Sequence, residues 1–315
     1  MQPRNDIPHR AATARVLLLA TGGTIAYSTG PGRSGFASGA DLLAAVPAQE
    51  VTAEVVVEDV LAEPSWDMSS TTMLDLARRA RAGILEHAFD GVVITHGTDT
   101  LEETAFLADL LAGPAASRGG IVLTGAMRPY DALSADGPRN LASAIAADAD
   151  PAVRDLGALA CLNDELHAAR WVSKVDATGV AAFSSAPFPR LGRVVDGQVE
   201  LLAPPPARPP KAVGEPTSDV ALIKTYPGID STMLTAVVDA GARGIVLEGT
   251  GDSNVPVSLF TTINDLIGWD IPVVVASRCR TGPAPIDQRR DDSGLSARLG
   301  AIGARGLARP RPGAR

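Results

Sequence analysis

Short unbroken apolar runs alternate along the chain with longer stretches in which apolar residues recur every three or four positions. Residues 16–19, 92–94 and 121–123 are runs of the first kind and read as buried strands. Residues 51–57, rich in β-branched side chains, read as another strand. Residues 70–87 set Met73, Leu76, Ala80, Ile84 and Leu85 near one stripe, as an amphipathic helix does. Residues 40–45 predict a short helix stopped by Pro47. Residues 101–111 predict a helix ended by Gly113 and Pro114, and residues 141–147 a further one. Strand alternating with helix predicts an α/β fold with a doubly wound, mainly parallel sheet.

The pattern breaks at residues 201–218, where proline density prevents regular structure and predicts a semi-rigid linker. This divides the chain into a larger N-terminal α/β domain, residues 1–200, and a smaller C-terminal α/β domain, residues 219–315. The smaller domain carries expected strands near 220–223, 244–247 and 273–276. The final residues 303–315, GARGLARPRPGAR, predict a basic, disordered tail.

Composition narrows the partners. Of 315 residues 45% are hydrophobic but only 4% aromatic, so the core must be built from Ala, Val, Leu and Ile. A net charge of −8 argues against nucleic acid and anionic membrane as partners. No apolar run approaches the ~20 residues of a membrane span, and the polar start predicts a cytoplasmic protein. Cys161 and Cys279 are expected as reduced thiols packed as small apolar groups. His9, His87, His96 and His167 have no metal-site spacing, so no metal is expected.

Two loops carry the candidate chemistry. ATGGTIA (residues 20–26) and ITHGTDTLEE (residues 94–103) each place threonine and glycine where a predicted strand ends. In open parallel sheets ligands bind beyond the carboxyl ends of the strands. The TGGT turn alone is a weak signal, and neither GxGxxG nor GxxxxGK[ST] occurs there. HGTDT is more specific. Thr100 with Glu103 has the spacing of a capping box, while Thr98 and Asp99 are left over for function. Lys174 alone reads as a solvated surface lysine.

Taken together these loops resemble the L-asparaginase family, the bacterial type with threonine nucleophiles. TGGTIA and THGTDTLEETA match its two signatures. TGAMRP, SADGPRNL, the surroundings of Lys174, and EGTGDSNVP (residues 248–256) follow in order. The resemblance implies an amidohydrolase that converts L-asparagine, with a side activity on L-glutamine, to the acid and ammonia without a cofactor. It also implies a homodimer or homotetramer with sites at the dimer interface. By position, Thr24 would be the nucleophile, and Thr98, Asp99 and Lys174 the hydroxyl–acid–lysine group that activates water or relays a proton. Asp99 would hold the substrate ammonium and Ser65 its α-carboxylate. The Ala126 backbone would lie near the leaving amide, and Asn254 in the glycine-rich loop would contact substrate. Tyr27 is the candidate for the family's flap tyrosine, since Phe36, nearer the usual place, lacks a hydroxyl.

The chain departs from the family in Trp66 after Ser65, in Asp287 as a weak substitute for a late acid, and in its Pro-rich end in place of an apolar helix. The altered C-terminal end motivates one alternative, a non-catalytic amino-acid-binding relative. Others are an amidase subunit for tRNA-dependent amidation and, on the α/β pattern alone, a dinucleotide-binding enzyme.

Overall fold

The computed structural model describes residues 13–30, 35–208 and 215–282. The chain divides into two compact units, residues 1–211 and 212–315. The first unit opens with β1 (Arg15–Ala20), β2 (Tyr27–Ser28), β3 (Gly35–Phe36), α1 (Gly39–Ala44), β4 (Glu54–Asp59) and α2 (Ser70–Leu85). It continues with β5 (Gly91–Thr95), α3 (Leu101–Ala112), β6 (Gly120–Thr124), α4 (Gly137–Ala149), β7 (Ala158–Leu162) and β8 (Glu165–Ala168). It closes with β9 (Ser173–Lys174), β10 (Phe183–Ser184), β11 (Gly192–Val195) and β12 (Gln198–Leu201).

Eight strands form one sheet in the order β12-β11-β8-β7-β6-β5-β1-β4. From β7 to β4 the pairs are parallel, whereas β8, β11 and β12 pair antiparallel. The order reverses at β1. The chain leaves β1 for the edge strand β4 and returns to β5 on the other side of β1, which makes the β1/β5 pair the topological switch point.

Alternation of side chains along the strands explains the two apolar layers. Val16, Leu18, Val93 and Val122 face Leu42 of α1 and Leu141 and Ile145 of α4. Leu17, Leu19, Ile94 and Leu123 face Ala77 and Ala80 of α2 and Ala105 and Ala108 of α3. Alanine on the helix side lets the helices approach the sheet closely. Each fully buried Leu or Ile contributes about 1.5–3 kcal/mol.

Several expectations shift. Residues 48–50 form a 3₁₀ turn after Pro47, so the second expected strand starts at Glu54. α3 ends as expected, at Ala112 with Gly113 as its C-cap, and a separate 3₁₀ turn over Gly113–Ser117 follows. The antiparallel edge has no counterpart among the expected strands. Two-residue hairpins build it: Asn163 and Asp164 (φ 51° and 60°) join β7 to β8, and Asp196 and Gly197 (φ 50° and 73°) join β11 to β12. Positive φ at both central residues is the type I′ turn that matches strand twist. β12 runs to Leu201, the first residue of the expected linker.

The second unit contains β13 (Val220–Lys224), α5 (Thr232–Asp239), β14 (Gly244–Gly249), α6 (Phe260–Gly268) and β15 (Val273–Ser277). Its strands form a parallel sheet ordered β13-β14-β15. Ile223, Ile245, Leu247 and Val275 pack with Leu234, Ile263 and Leu266 from the two helices. Cys161 is buried in the first unit's core, whereas Cys279 is exposed rather than packed; both are free thiols. Among the described residues no helix is long and apolar enough to cross a membrane. The expected tail and Asp287 lie outside the described residues.

Candidate active site

β1 and β5 are neighbours in register, with Ala20 opposite Thr95, so the two threonine loops leave the sheet side by side. The Thr21 hydroxyl ties them at the strand ends by donating to the Thr95 carbonyl at 2.6 Å. Beyond this point glycine decides the geometry. Gly22 and Gly23 have φ of 92° and 77°. A Cβ on Gly23 would lie 2.5 Å from the Gly97 Cα, and one on Gly22 would lie 2.7 Å from the Glu63 amide nitrogen. A Cβ on Gly97 would meet the Ser65 hydroxyl at 2.5 Å. Only bare backbone lets the segments after β1, β4 and β5 touch. Thr24 follows this contact, half-buried, in a turn closed by Tyr27 N–H donating to the Gly23 and Thr24 carbonyls at 3.0 and 3.2 Å.

The second loop is held from beneath. His96 is fully buried, with Nδ1 2.7 Å from the Gly97 carbonyl and Nε2 2.9 Å from the Thr104 hydroxyl. A carbonyl only accepts, so Nδ1 carries the hydrogen and Nε2 accepts from Thr104. Burial pushes the His96 pKa down to about 4, and the imidazole is neutral. The expected capping box does not form. Thr100 donates its hydroxyl to the Ser65 carbonyl at 2.8 Å, and no side-chain cap bond closes the α3 N-terminus. With φ −126° and ψ 23°, Thr100 is also outside the extended conformation that an N-cap hydroxyl uses.

Thr98 is buried, and Lys174 reaches it from β9 on the far side of the loop. The Lys174 Nζ donates to the Thr98 hydroxyl at 2.9 Å and to the Asp99 carboxylate at 2.5 Å. A hydroxyl, an amine and a carboxylate are thus one hydrogen-bonded chain, an arrangement suited to proton movement at a hydroxyl. This corrects the reading of Lys174 as a solvated surface lysine; its side chain is 16% exposed.

The remaining candidates fall at different depths. Ser65 is 2% exposed and its hydroxyl has no hydrogen-bond partner within the described protein, whereas Trp66 beside it is exposed. Ala126 is buried on the loop after β6, where Asn140 donates to the Gly125 carbonyl at 2.9 Å and Asp136 accepts from the Met127 and Arg128 amides at 2.9 Å. Tyr27 is exposed. It pairs with Phe36 across the β2–β3 ladder, with ring centroids 5.6 Å apart. Asn254 belongs to the second unit, exposed in the turn after β14, where it exchanges two backbone hydrogen bonds with Thr250. Among the described residues no group of three His, Cys, Asp or Glu side chains is placed to hold a metal ion.

Two residues escape sequence reading. Asp131 gathers the end of the Thr24 loop, accepting from the Ser28 hydroxyl at 2.7 Å and from the Thr29 and Gly30 amides. These bonds hold its carboxyl below the usual range, the Ser28 contact foremost. Glu102 accepts from the Ser173 hydroxyl at 2.9 Å and the Lys174 amide at 2.5 Å. The sequence offers no signal for Asp131. For Glu102 the signal is its place in the first turn of α3, beside the Glu103 that capping-box spacing favours.

Known proteins resemble this chain over most of its length. Residues 15–207 match the family model described as Asparaginase, N-terminal, and residues 219–309 match the Glutaminase/Asparaginase C-terminal domain. L-asparaginase 2 of Escherichia coli (strain K12) is 35% identical over 296 residues, 90% of this chain and 83% of its own length. A glutaminase-asparaginase of Pseudomonas fluorescens biotype A is 32% identical, over 88% of this chain and 79% of its own. A crystal structure of a probable cytoplasmic L-asparaginase from Campylobacter jejuni superposes with a TM-score of 0.78. It is 34% identical and covers 90% of this chain and 88% of its own. The match runs through both units, and on it the chain belongs to the asparaginase family.

Proposed function

We propose that this protein hydrolyses the side-chain amide of L-asparagine to L-aspartate and ammonia through a threonine acyl-enzyme, with a side activity on L-glutamine. The observation that carries the reading is the Thr98–Lys174–Asp99 chain, with Nζ 2.9 Å from the hydroxyl and 2.5 Å from the carboxylate, on the loop packed against that of Thr24. The Thr24 hydroxyl oxygen bonds to the amide carbon, its proton passes to the leaving nitrogen, and ammonia departs from the tetrahedral intermediate. Water then adds to the ester carbon, guided by Thr98 and Lys174, and Thr24 recovers its proton as aspartate leaves. Backbone N–H groups around Thr98 stabilise the oxyanion.

Asp99 is 45% exposed in its side chain, so it can pair with Lys174 and still meet a substrate ammonium. Ser65 would take the α-carboxylate, the Ala126 backbone would flank the leaving amide, and Tyr27 would cover Thr24. We read the working form as a cytoplasmic homodimer or homotetramer, to be checked by cell fractionation and by mass in solution.

The test is ammonia and aspartate release from purified protein given L-asparagine, L-glutamine and D-asparagine, with Thr24→Ala in parallel. Release from L-asparagine that vanishes in the variant is expected. No release from folded wild-type protein, with aspartate still bound saturably, would replace this reading by a binding role.

A further inference from the structure

Lys174 sits on a two-residue strand whose ladder partner among the described residues is β10 alone, with Lys174 opposite Phe183. Such a short ladder does not by itself fix a long side chain. The fixation comes from α3. Glu102, half-buried in its first turn, spreads its carboxylate over two donors of β9, the Ser173 hydroxyl at 2.9 Å and the Lys174 backbone amide at 2.5 Å. Asp99, three residues earlier, takes the Lys174 ammonium at 2.5 Å. One helix start therefore grips the same lysine at its backbone and at its tip. The acid also suits its place, because a carboxylate in the first turn is favoured by the helix dipole.

We infer that Glu102 is the positioning residue that aims Lys174 at Thr98. It contacts the backbone of Lys174 and the neighbouring hydroxyl, leaving the ammonium to Thr98 and Asp99. Its charge is dispensable where its two hydrogen-bonded contacts are kept. In Glu102→Gln the amide oxygen can still take the Lys174 N–H while the amide NH₂ donates to the Ser173 oxygen. Glu102→Ala loses both bonds and frees β9. The role in turnover rests on the function proposed above, whereas the aim of the amine does not.

The chain has three lysines, Lys174, Lys211 and Lys224, so the aim of Lys174 can be read directly. Trace acylation of the folded protein with an amine reagent, followed by peptide mass spectrometry, gives the labelling of Lys174 relative to Lys224. Glu102→Ala should raise that ratio several-fold, and Glu102→Gln and Glu103→Gln should leave it at the wild-type value. In steady-state assays Glu102→Ala should lose kcat by about 10²-fold with KM changed far less, and Glu102→Gln should restore most of it. An unchanged labelling ratio in folded Glu102→Ala overturns the inference whatever the activity. A raised ratio in a protein that never turns over asparagine upholds it and removes the proposed function instead. A Glu102→Gln variant as impaired as Glu102→Ala in both readouts overturns it too, since charge and not geometry would then be at work.

Discussion

The first unit contains two hydrogen-bonded chains made of similar parts. In one, Lys174 joins the Thr98 hydroxyl to the Asp99 carboxylate. In the other, His167 has Nδ1 2.9 Å from the Ser185 hydroxyl and Nε2 3.4 Å from a Glu165 oxygen, while Arg190 pairs with the same glutamate. By residue type alone the histidine chain is the closer match to nucleophilic machinery, since serine, histidine and acid make a familiar triad. Location separates them. Ser185 and His167 are each 2% exposed, on the antiparallel side of the sheet, whereas Asp99 opens to solvent at the carboxyl end of a central parallel strand. Its place away from the carboxyl ends of the parallel strands makes the histidine chain a structural tie, and access at the switch point makes the lysine chain available to a ligand.

The comparison breaks most sharply at Thr24. Thr24→Ala should lower kcat by about 10⁴-fold or more while aspartate still binds, measured by coupled ammonia assay and calorimetry; near-normal turnover would move the chemistry elsewhere. Lys174→Met should lower kcat by about 10²–10⁴-fold, with a smaller rise in KM. A pure KM effect would reduce Lys174 to binding.

A third test concerns the two buried histidines. The folded pKa of His96 is depressed to about 4 from 6.5, so the unfolded chain binds more protons between these values. Stability is therefore fully present above pH 6.5 and lost as pH falls toward 4, by about 3 kcal/mol for this group. Burial lowers His167 in the same direction. Urea titrations across that window should show a slope reduced more by His96→Gln than by His167→Gln. The smallest effect is expected at the buried tie. Ser185→Ala should cost about 1 kcal/mol in urea unfolding and leave turnover within about twofold; a large loss of kcat would reopen the histidine chain as a site.

Legibility in the sequence follows the physics of each element. Residues 92–94 and 121–123 are legible because central parallel strands, buried on both faces, read as unbroken apolar runs. The antiparallel edge is not, although Asn163-Asp164 and Asp196-Gly197 are hairpin turn pairs, because β8 and β11 are four residues each and carry little periodicity. The Thr24 and Thr98 loops can be picked out, but their contact depends on β1 and β5 being neighbours, which no local pattern states. The grip of Glu102 on Lys174 spans 72 residues of sequence. Glu103 draws attention in its place because the capping-box rule looks three residues past Thr100 and takes no account of the Ser65 carbonyl that occupies its hydroxyl.

The placement of the two threonine loops on β1 and β5 has a consequence for heat. Adjacent strands in a sheet are held about 4.8 Å apart by their ladder, and here both strands lie inside the core of the larger unit. The distance between the loops is then a property of the sheet, and local fraying at a helix end or the β12 edge does not alter it. The spacing of the Thr24 and Thr98 loops and cooperative melting of this unit become one event. Activity should rise on warming as an intact catalyst's rate constant does and fall only along the unfolding curve, without an earlier phase of gradual decline.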